Sequence, residues 1–185
     1  MIAENGSQTE VVARDFEICR IFDAPRELVF NAWTKPEHLI NWWGPKGFQL
    51  GVARLELRPG GTFLYSMKAA TGHEMWGRFV YLGIAEPEQI VYINSFSDEE
   101  GNVMRAPFST TWPLEVYNTL TLNEQSGKTT LTLRSGPFNA TEKEQLTFQG
   151  SFRSLEQGFQ GTLDQLEAYL NKIRNTTTTT TISHS

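Results

Sequence analysis

The chain has 185 residues, which suggests one domain that is large enough to bury a sizeable hydrophobic core. Its 16 Lys and Arg residues against 21 Asp and Glu residues give a net charge of −5 without a basic tract, which argues against nucleic acid as a partner. No apolar run approaches the ~20 residues that span a bilayer, and the N-terminus lacks the pattern of a secretory signal, so we expect a cytoplasmic protein without membrane contact.

The two ends of the sequence show no periodic apolar pattern. Residues 1–10 are polar, and residues 175–185 (NTTTTTTISHS) contain six consecutive threonines. Low complexity of this kind favours disorder. We therefore expect a folded domain over residues 11–174 between two disordered segments.

A strand is predicted over residues 12–22, and a short amphipathic helix over residues 25–33 follows it. Val29 and Trp33 lie at helical spacing on the apolar face of this helix. Pro25 suits the first helical turn, where a missing N–H costs nothing. The helix is therefore expected to cover a sheet.

A second short helix is predicted to begin at Thr34, because the spacing of Thr34 and Glu37 is that of a capping box. This helix carries Trp42 and Trp43 and ends at Gly44. Neighbouring helical residues point about 100° apart, so the two indole rings cannot both face the sheet. We expect one of them in the core and the other near the mouth of any cavity.

The middle of the sequence alternates apolar runs with turn residues. Six strands are predicted there, over residues 48–57, 62–68, 74–84, 89–96, 114–122 and 129–134. The short connections favour antiparallel pairing. Residues 101–112 form either a loop at the rim of the sheet or part of a longer, bent strand.

A long helix is predicted near the C-terminus from an apolar stripe with steps of three and four residues. The stripe consists of Phe148, Phe152, Leu155, Phe159, Leu163, Leu166, Leu170 and Ile173. It covers about 39 Å at 1.5 Å per residue and is expected to pack on the sheet. Three glycines fall inside it, Gly150, Gly158 and Gly161. They serve either close packing or ligand access, and we favour close packing.

Strand alternation indicates which side chains face the interior. Phe63, Tyr65 and Met67 share one strand face, which we expect to point inward. Asn118 lies on an otherwise apolar face of its strand, as a structural group satisfied by the backbone or as a polar anchor in a cavity. Both readings remain open at this stage.

The strand over residues 74–84 is ambiguous because both of its faces are apolar. Phe79 and Tyr81 oppose Trp76 and Val80. If Trp76 and Val80 face inward, Arg78 comes with them and could bind a ligand anion. An outward, solvated Arg78 is the alternative.

Catalytic constellations are missing from the sequence. His38, His73 and His184 are too few and too scattered for a histidine metal site, and the single Cys19 cannot form a cysteine-based one. Cys19 is expected to be a small core residue. We expect no metal and no cofactor.

Three stretches of the sequence resemble the family of heat-shock protein 90 ATPase activator homologues, within the START-like (SRPBCC) superfamily. They are AP-x-E-LVF-x-AWT-x-PEHL-x-x-WWGP (Ala24–Pro45), RPGG (Arg58–Gly61) and GF-x-x-TLDQLEAYL (Gly158–Leu170). The resemblance implies an α+β helix-grip fold, in which a curved antiparallel sheet of six or seven strands wraps around the long C-terminal helix. Two short helices follow the first strand of that fold. It also implies a cavity between the sheet and the helix, but no single reaction.

The family resemblance and the 5 Trp, 5 Tyr and 12 Phe residues together favour a binding protein for a small hydrophobic or aromatic molecule. We expect binding rather than catalysis, by a monomer or homodimer. Ligand contacts are expected from Trp43, Phe63, Tyr65, Met67, Trp76, Asn118, Phe152, Leu155 and Phe159. The alternatives are a cyclase- or aromatase-like enzyme that uses the same cavity, and a co-chaperone-like interaction module of the stress response.

Overall fold

The computed structural model describes residues 14–182, so the segment 1–10 lies outside the described residues. The eight strands are β1 (Phe16–Phe22), β2 (Phe48–Leu55), β3 (Thr62–Ala69), β4 (Glu74–Ala85), β5 (Gln89–Ser97), β6 (Val103–Met104), β7 (Glu115–Gln125) and β8 (Lys128–Phe138). The four helices are α1 (Arg26–Thr34), α2 (Pro36–Leu39), α3 (Glu142–Gly150) and α4 (Phe152–Ile182).

The strands form one antiparallel sheet in the order β1-β8-β7-β5-β4-β3-β2. The short β6 pairs with the last residues of β5, beyond the part of β5 that pairs with β7. Strands β1 and β2 are the two edges, so the sheet curves without closing into a barrel. The predicted α+β class and helix-grip arrangement are confirmed.

Helix α4 lies against the inner face of the sheet through its predicted apolar stripe. Leu163, Leu166 and Leu170 are buried in the core cluster that the sheet also lines. The edge strand β1 also holds the helix in position. Arg20 on β1 donates hydrogen bonds to Asp164 at 2.7 Å and to Glu167 at 3.1 Å.

Two predictions for the first helix pair were wrong. Thr34 is the last residue of α1 rather than a cap of α2, since its hydroxyl donates to the Phe30 carbonyl oxygen at 2.8 Å. Helix α2 is a single turn, Pro36–Leu39, and Trp42 lies in the hydrogen-bonded turn that follows it rather than in the helix. Gly44 follows with a φ of +101°, in the left-handed region, and this conformation prevents the chain from continuing as a helix.

The C-terminal helix also differs from the prediction, because it is two helices separated at Ser151. Thr141 caps α3 through a capping box with Glu144, and α3 ends at Gly150. The backbone of α4 then stays helical through Ile182, whereas we had expected an unstructured chain from Asn175. The boundary of the folded domain at residue 174 stays a prediction.

The two faces of β4 are now distinguished. Phe79 and Tyr81 are buried on the inner face, so Trp76 and Arg78 lie on the outer face. Arg78 is not simply solvated there, since it donates to the Gly101 carbonyl oxygen at 2.7 Å. Cys19 is exposed on β1, and the prediction that it is a core residue was wrong.

None of the described helices combines the length and the hydropathy that a bilayer crossing requires.

Candidate functional site

A cavity of about 260 Å³ lies between the inner face of the sheet and α4. Its walls come from strands β3, β4, β5 and β7, from α4 and from the turn after α2. The residues that line it are Trp43, Gly44, Pro45, Tyr65, Met67, Phe79, Tyr92, Asn94, Asn118, Ser154, Leu155, Gly158, Phe159 and Thr162. All of them belong to the described part of the chain, and they include no Asp, Glu, Lys, Arg or His.

The sheet side of the cavity is a wall of aromatic rings. Tyr92 stacks on Phe79 with ring centroids 4.2 Å apart and an angle of 16° between the rings. Trp43 and Tyr65 meet Phe79 nearly at right angles, at 5.6 Å and 5.8 Å. Tyr65 lies over Gly77, where an added Cβ would come within 2.7 Å of its ring. Offset and edge-to-face contacts of this kind hold aromatic rings in fixed orientations, so the wall is preorganised.

The two neighbouring tryptophans have different environments, as predicted. Trp42 is 2% exposed, and its indole Nε1–H donates to the Ala32 carbonyl oxygen at 3.0 Å. Trp43 is half-buried and lines the cavity. Its buried Nε1–H has no hydrogen-bond partner among the residues that the structure describes.

One edge of the cavity is formed by a contact between the Trp43–Pro45 turn and α4. The Gly44 carbonyl oxygen accepts a hydrogen bond from Gln165 Nε2 at 2.7 Å. On its other side, Gly44 approaches Met67 so closely that a Cβ would lie 2.9 Å from the Met67 sulfur. The turn is thereby held between the helix and strand β3.

Three polar side chains form a connected cluster on the inner face of β5, β7 and β8. Asn118 Nδ2 donates to Asn94 Oδ1 at 2.7 Å and to the Val116 carbonyl oxygen at 2.9 Å. Ser135 Oγ donates to Asn118 Oδ1 at 2.6 Å. Asn118 is thus a structural group, whose amide is satisfied by the Val116 carbonyl oxygen and by two side chains, and it also lines the cavity.

A smaller cavity of about 70 Å³ continues the space toward α3. Asn94, Asn118, Leu155 and Phe159 line both cavities. The far wall of the smaller one includes Trp112, from the loop that follows β6.

This loop, residues 105–114, is fastened to α3. Arg105 donates to the Trp112 carbonyl oxygen at 3.1 Å and forms a hydrogen-bonded ion pair with the buried Glu144. The Arg105 guanidinium and the Thr141 backbone N–H together hold the pKa of the Glu144 carboxyl below its usual value. The ion pair therefore connects the end of the smaller cavity with the capping box of α3.

The tyrosines of the aromatic wall are neutral phenols at physiological pH. Burial raises the pKa of Tyr65 to about 12, and the Trp43 indole N–H, which lies near the phenol without hydrogen-bond geometry, offsets part of that rise. Burial also raises the pKa of Tyr81 and of Tyr92. Neither a positive nor a negative charge is presented to the cavity by these residues.

The structure brings together six of the nine side chains predicted to contact a ligand, namely Trp43, Tyr65, Met67, Asn118, Leu155 and Phe159. It places the other three elsewhere. Trp76 lies on the outer face of β4, and Phe63 lies behind Tyr65 in the core, with ring centroids 4.7 Å apart. Phe152 packs against Phe16 and Phe148 and lines neither cavity.

Sequence reasoning missed Tyr92 and Asn94, which contribute a ring and an amide to the cavity. The signal was present in the alternation Ile90-Val91-Tyr92-Ile93-Asn94, which puts Asn94 on the same face as two apolar residues. Asn118 was found by the same pattern in the strand that pairs with β5.

The glycines of α4 do not serve close packing. A Cβ added at Gly158 or at Gly161 would meet no atom within 4 Å outside the helix backbone. Gly158 lines the cavity, whereas Gly161 does not. Our preference for close packing was therefore wrong, and Gly158 instead leaves space beside the helix.

Histidine and carboxylate side chains are not gathered at this site. Within the described residues, no group of three or more His, Cys, Asp or Glu side chains is placed to hold a metal ion. His38 Nδ1 lies 2.6 Å from the Tyr169 hydroxyl, which joins α2 to α4 outside the cavity.

Comparisons with known proteins give one matching family and several solved structures of similar fold. Residues 23–171 match the family model described as "Activator of Hsp90 ATPase homolog 1-like protein". A solution structure of an Arthrobacter aurescens protein is similar, with 26% identity, a TM-score of 0.72 and coverage of 86% of this chain and 87% of that one. A solution structure from Staphylococcus epidermidis has 29% identity, a TM-score of 0.67 and coverage of 86% and 92%.

A crystal structure of a Mycobacterium smegmatis protein has 23% identity, a TM-score of 0.69 and coverage of 87% of this chain and 93% of that one, a likeness that shows the fold alone. Comparison with curated proteins gives no match.

Proposed function

Since the chain belongs to the family of Hsp90 ATPase activator homologue 1-like proteins, we propose that it binds a small, neutral, largely aromatic molecule in the cavity between the sheet and α4. The START-like fold of the family is commonly a ligand-binding one. The observation that carries the proposal is the cavity of about 260 Å³, whose aromatic wall is preorganised and whose lining residues carry no formal charge.

The size of the cavity limits the ligand. Pockets for drug-sized molecules begin at about 300 Å³, so this one suits one or two fused rings. Such a ligand would gain roughly 25 cal/mol for each Å² of apolar surface that it buries. Its ring can also make edge-to-face contact with Trp43 and Phe79, which are already held at right angles to each other.

Binding is favoured over catalysis by the same lining residues. General acid–base catalysis needs a group whose pKa lies near the working pH, most often a His or a carboxyl group. The described residues that line the cavity offer neither, and burial moves the pKa of Tyr65 and Tyr92 away from neutrality. A cyclase- or aromatase-like enzyme would need such a group at the substrate.

The proposal is tested by titration with naphthalene and with larger, three- and four-ring hydrocarbons. Naphthalene should bind with a micromolar Kd. At ten times its Kd it should stabilise the protein by about 1.4 kcal/mol, which raises the Tm by roughly 3–6 °C. A Gly158→Leu variant should lose this effect, and the matched Gly161→Leu variant should keep it. If neither these hydrocarbons nor a neutral aromatic ketone of the same size raises the Tm or binds in direct titration, the binding proposal fails and the interaction-module alternative gains.

A further inference from the structure

The orientation of the Asn118 amide is fixed by a backbone group. The Val116 carbonyl oxygen can only accept a hydrogen bond, so the Asn118 atom 2.9 Å from it must be the amide nitrogen. The second hydrogen of that nitrogen points to Asn94, at 2.7 Å. Asn94 must therefore present its carbonyl oxygen to Asn118. The donors and acceptors around the two side chains thus determine which atom of each amide is the nitrogen and which is the oxygen.

Asn118 has no donor left for a ligand. Both of its N–H groups are used within the cluster, and its oxygen accepts from Ser135. It is 3% exposed, and each of its contacts is to a neighbouring strand or to its own. The role of Asn118 is therefore to position Asn94.

Asn94 presents a hydrogen-bond donor to the cavity, whereas Asn118 does not. Its oxygen is engaged by Asn118, while no hydrogen bond within residues 14–182 uses its Nδ2 atom. Trp43 also lines this cavity, but its Nε1 atom is itself buried, so the indole N–H is not presented to a ligand. The Nδ2 group of Asn94 is therefore a donor on the cavity wall that has no partner among the described residues. The hydroxyl groups of Tyr65, Tyr92 and Ser154 can rotate to donate or to accept, so they add no bias.

We propose that the cavity selects neutral aromatic ligands that carry a hydrogen-bond acceptor without a negative charge, such as an aryl ketone, a quinone or a ring nitrogen. This inference rests on the proposed binding function and names its ligand class. An acceptor on the ligand would pair with Asn94 Nδ2, whereas a hydrocarbon would cover that donor and leave it without a partner. A carboxylate would have to lose its hydration in a cavity with no cation among its lining residues.

The test uses three probes with one skeleton: 2-acetylnaphthalene, 2-ethylnaphthalene and 2-naphthoate. Water solvates the ketone better than the hydrocarbon, so burial alone favours 2-ethylnaphthalene. We expect the reverse order, with the ketone binding at least about tenfold more tightly, which corresponds to about 1.4 kcal/mol. 2-Naphthoate should bind the most weakly of the three.

The side chain responsible is identified by an Asn94→Leu variant. It should lose about tenfold in affinity for 2-acetylnaphthalene and nothing for 2-ethylnaphthalene. Asn123→Leu is the matched control, because Asn123 is an exposed asparagine on β7 outside the cavity, and it should change neither affinity. Infrared spectroscopy of the carbonyl-labelled ketone bound to the wild type gives a readout that needs no variant. Its carbonyl band should lie where a hydrogen-bonded ketone absorbs.

The outcomes separate the two proposals. If the hydrocarbon binds as tightly as the ketone, or if the bound carbonyl absorbs as it does in a hydrocarbon solvent, the acceptor inference is overturned while the binding function stands. If none of the three probes binds, the binding function fails and the inference fails with it.

Discussion

The indole rings of Trp42 and Trp43 lie at 88° to each other with their centroids 5.4 Å apart, although the two residues are neighbours in sequence. Both rings also contact Trp33 of α1, at 5.0 Å and 5.3 Å. Trp42 thereby joins α1 to the turn after α2, and Trp43 continues from this cluster to the cavity.

The first prediction is that the two tryptophans differ in what their removal costs. Trp42→Ala should lower the free energy of unfolding by about 3–5 kcal/mol, because it leaves a void in the core and removes the hydrogen bond to Ala32. Trp43→Ala should cost less stability but should weaken naphthalene binding. Denaturant unfolding and probe titration of both variants measure these effects. If both variants unfold like the wild type, this turn does not support the fold.

The second prediction concerns the glycines of α4. Both Gly158→Ala and Gly161→Ala should stabilise the protein by about 0.5–1 kcal/mol, since neither added methyl group meets another atom and alanine is the better helix former. Thermal unfolding measures the change. A loss of stability at either position would show that the space beside that glycine is too small for a methyl group.

The third prediction is a pH dependence from the ion pair between Arg105 and Glu144. The pKa of Glu144 is lowered in the folded state, so its stabilising effect is present at neutral pH and is lost as the pH falls through that lowered value. Glu144→Gln should cost about 1–2 kcal/mol at pH 7, a moderate value because Arg105 is half exposed. The difference from the wild type should shrink on acidification. Thermal unfolding from pH 7 to pH 3 measures it.

Glu142→Gln is the control for that experiment. Glu142 lies in the same first turn of α3 but is exposed, so its replacement changes the charge near the helix N-terminus without touching Arg105. Equal losses in the two variants would mean that the ion pair contributes no stability of its own.

The fourth prediction concerns alkaline pH. The Tyr65 pKa of about 12 in the folded state exceeds the ordinary value of about 10, so the unfolded chain releases this proton first. Stability from this group is complete below about pH 10 and falls as the pH rises toward 12, by on the order of 2 kcal/mol. Tyr65→Phe should keep the ring over Gly77 and lose less stability in this range than the wild type.

Tyr117→Phe, on the outer face of β7, controls for the loss of a hydroxyl group in that comparison. The measurement is the Tm of all three proteins between pH 9 and pH 12. Parallel curves for the wild type and for Tyr65→Phe would contradict the prediction.

Much of the fold follows from local patterns in the sequence. The alternation along each strand and the apolar stripe of α4 show which side chains face the core. Both patterns can be read within a single element, without knowing what that element packs against. The wrong assignment of Thr34 arose because its hydroxyl group had two possible partners. Thr34 could cap a helix or bond back to Phe30, and only the tertiary arrangement selects the second.

The site was less predictable, because alternation gives the face of a residue and not its depth. Phe63 and Tyr65 share a face, yet one lies in the core and the other lines the cavity. Trp76 and Phe79 on β4 could not be separated, since apolar residues occupy both faces of that strand. Asn94 gains its meaning from Asn118, and no pattern within a single strand shows that two asparagines on paired strands will touch.

The central claim is that an aromatic ligand enters this cavity, and the most direct measurement is nuclear magnetic resonance of the side-chain N–H groups during titration with 2-acetylnaphthalene. We predict saturable shifts of the Trp43 Nε1–H and Asn94 Nδ2–H signals with one common Kd. The Nε1–H signal of Trp42, which is bonded to Ala32, should move little. If these two signals stay fixed at saturation, or if the shifts are confined to outer-face residues such as Trp76, the ligand does not occupy the cavity and the account is contradicted.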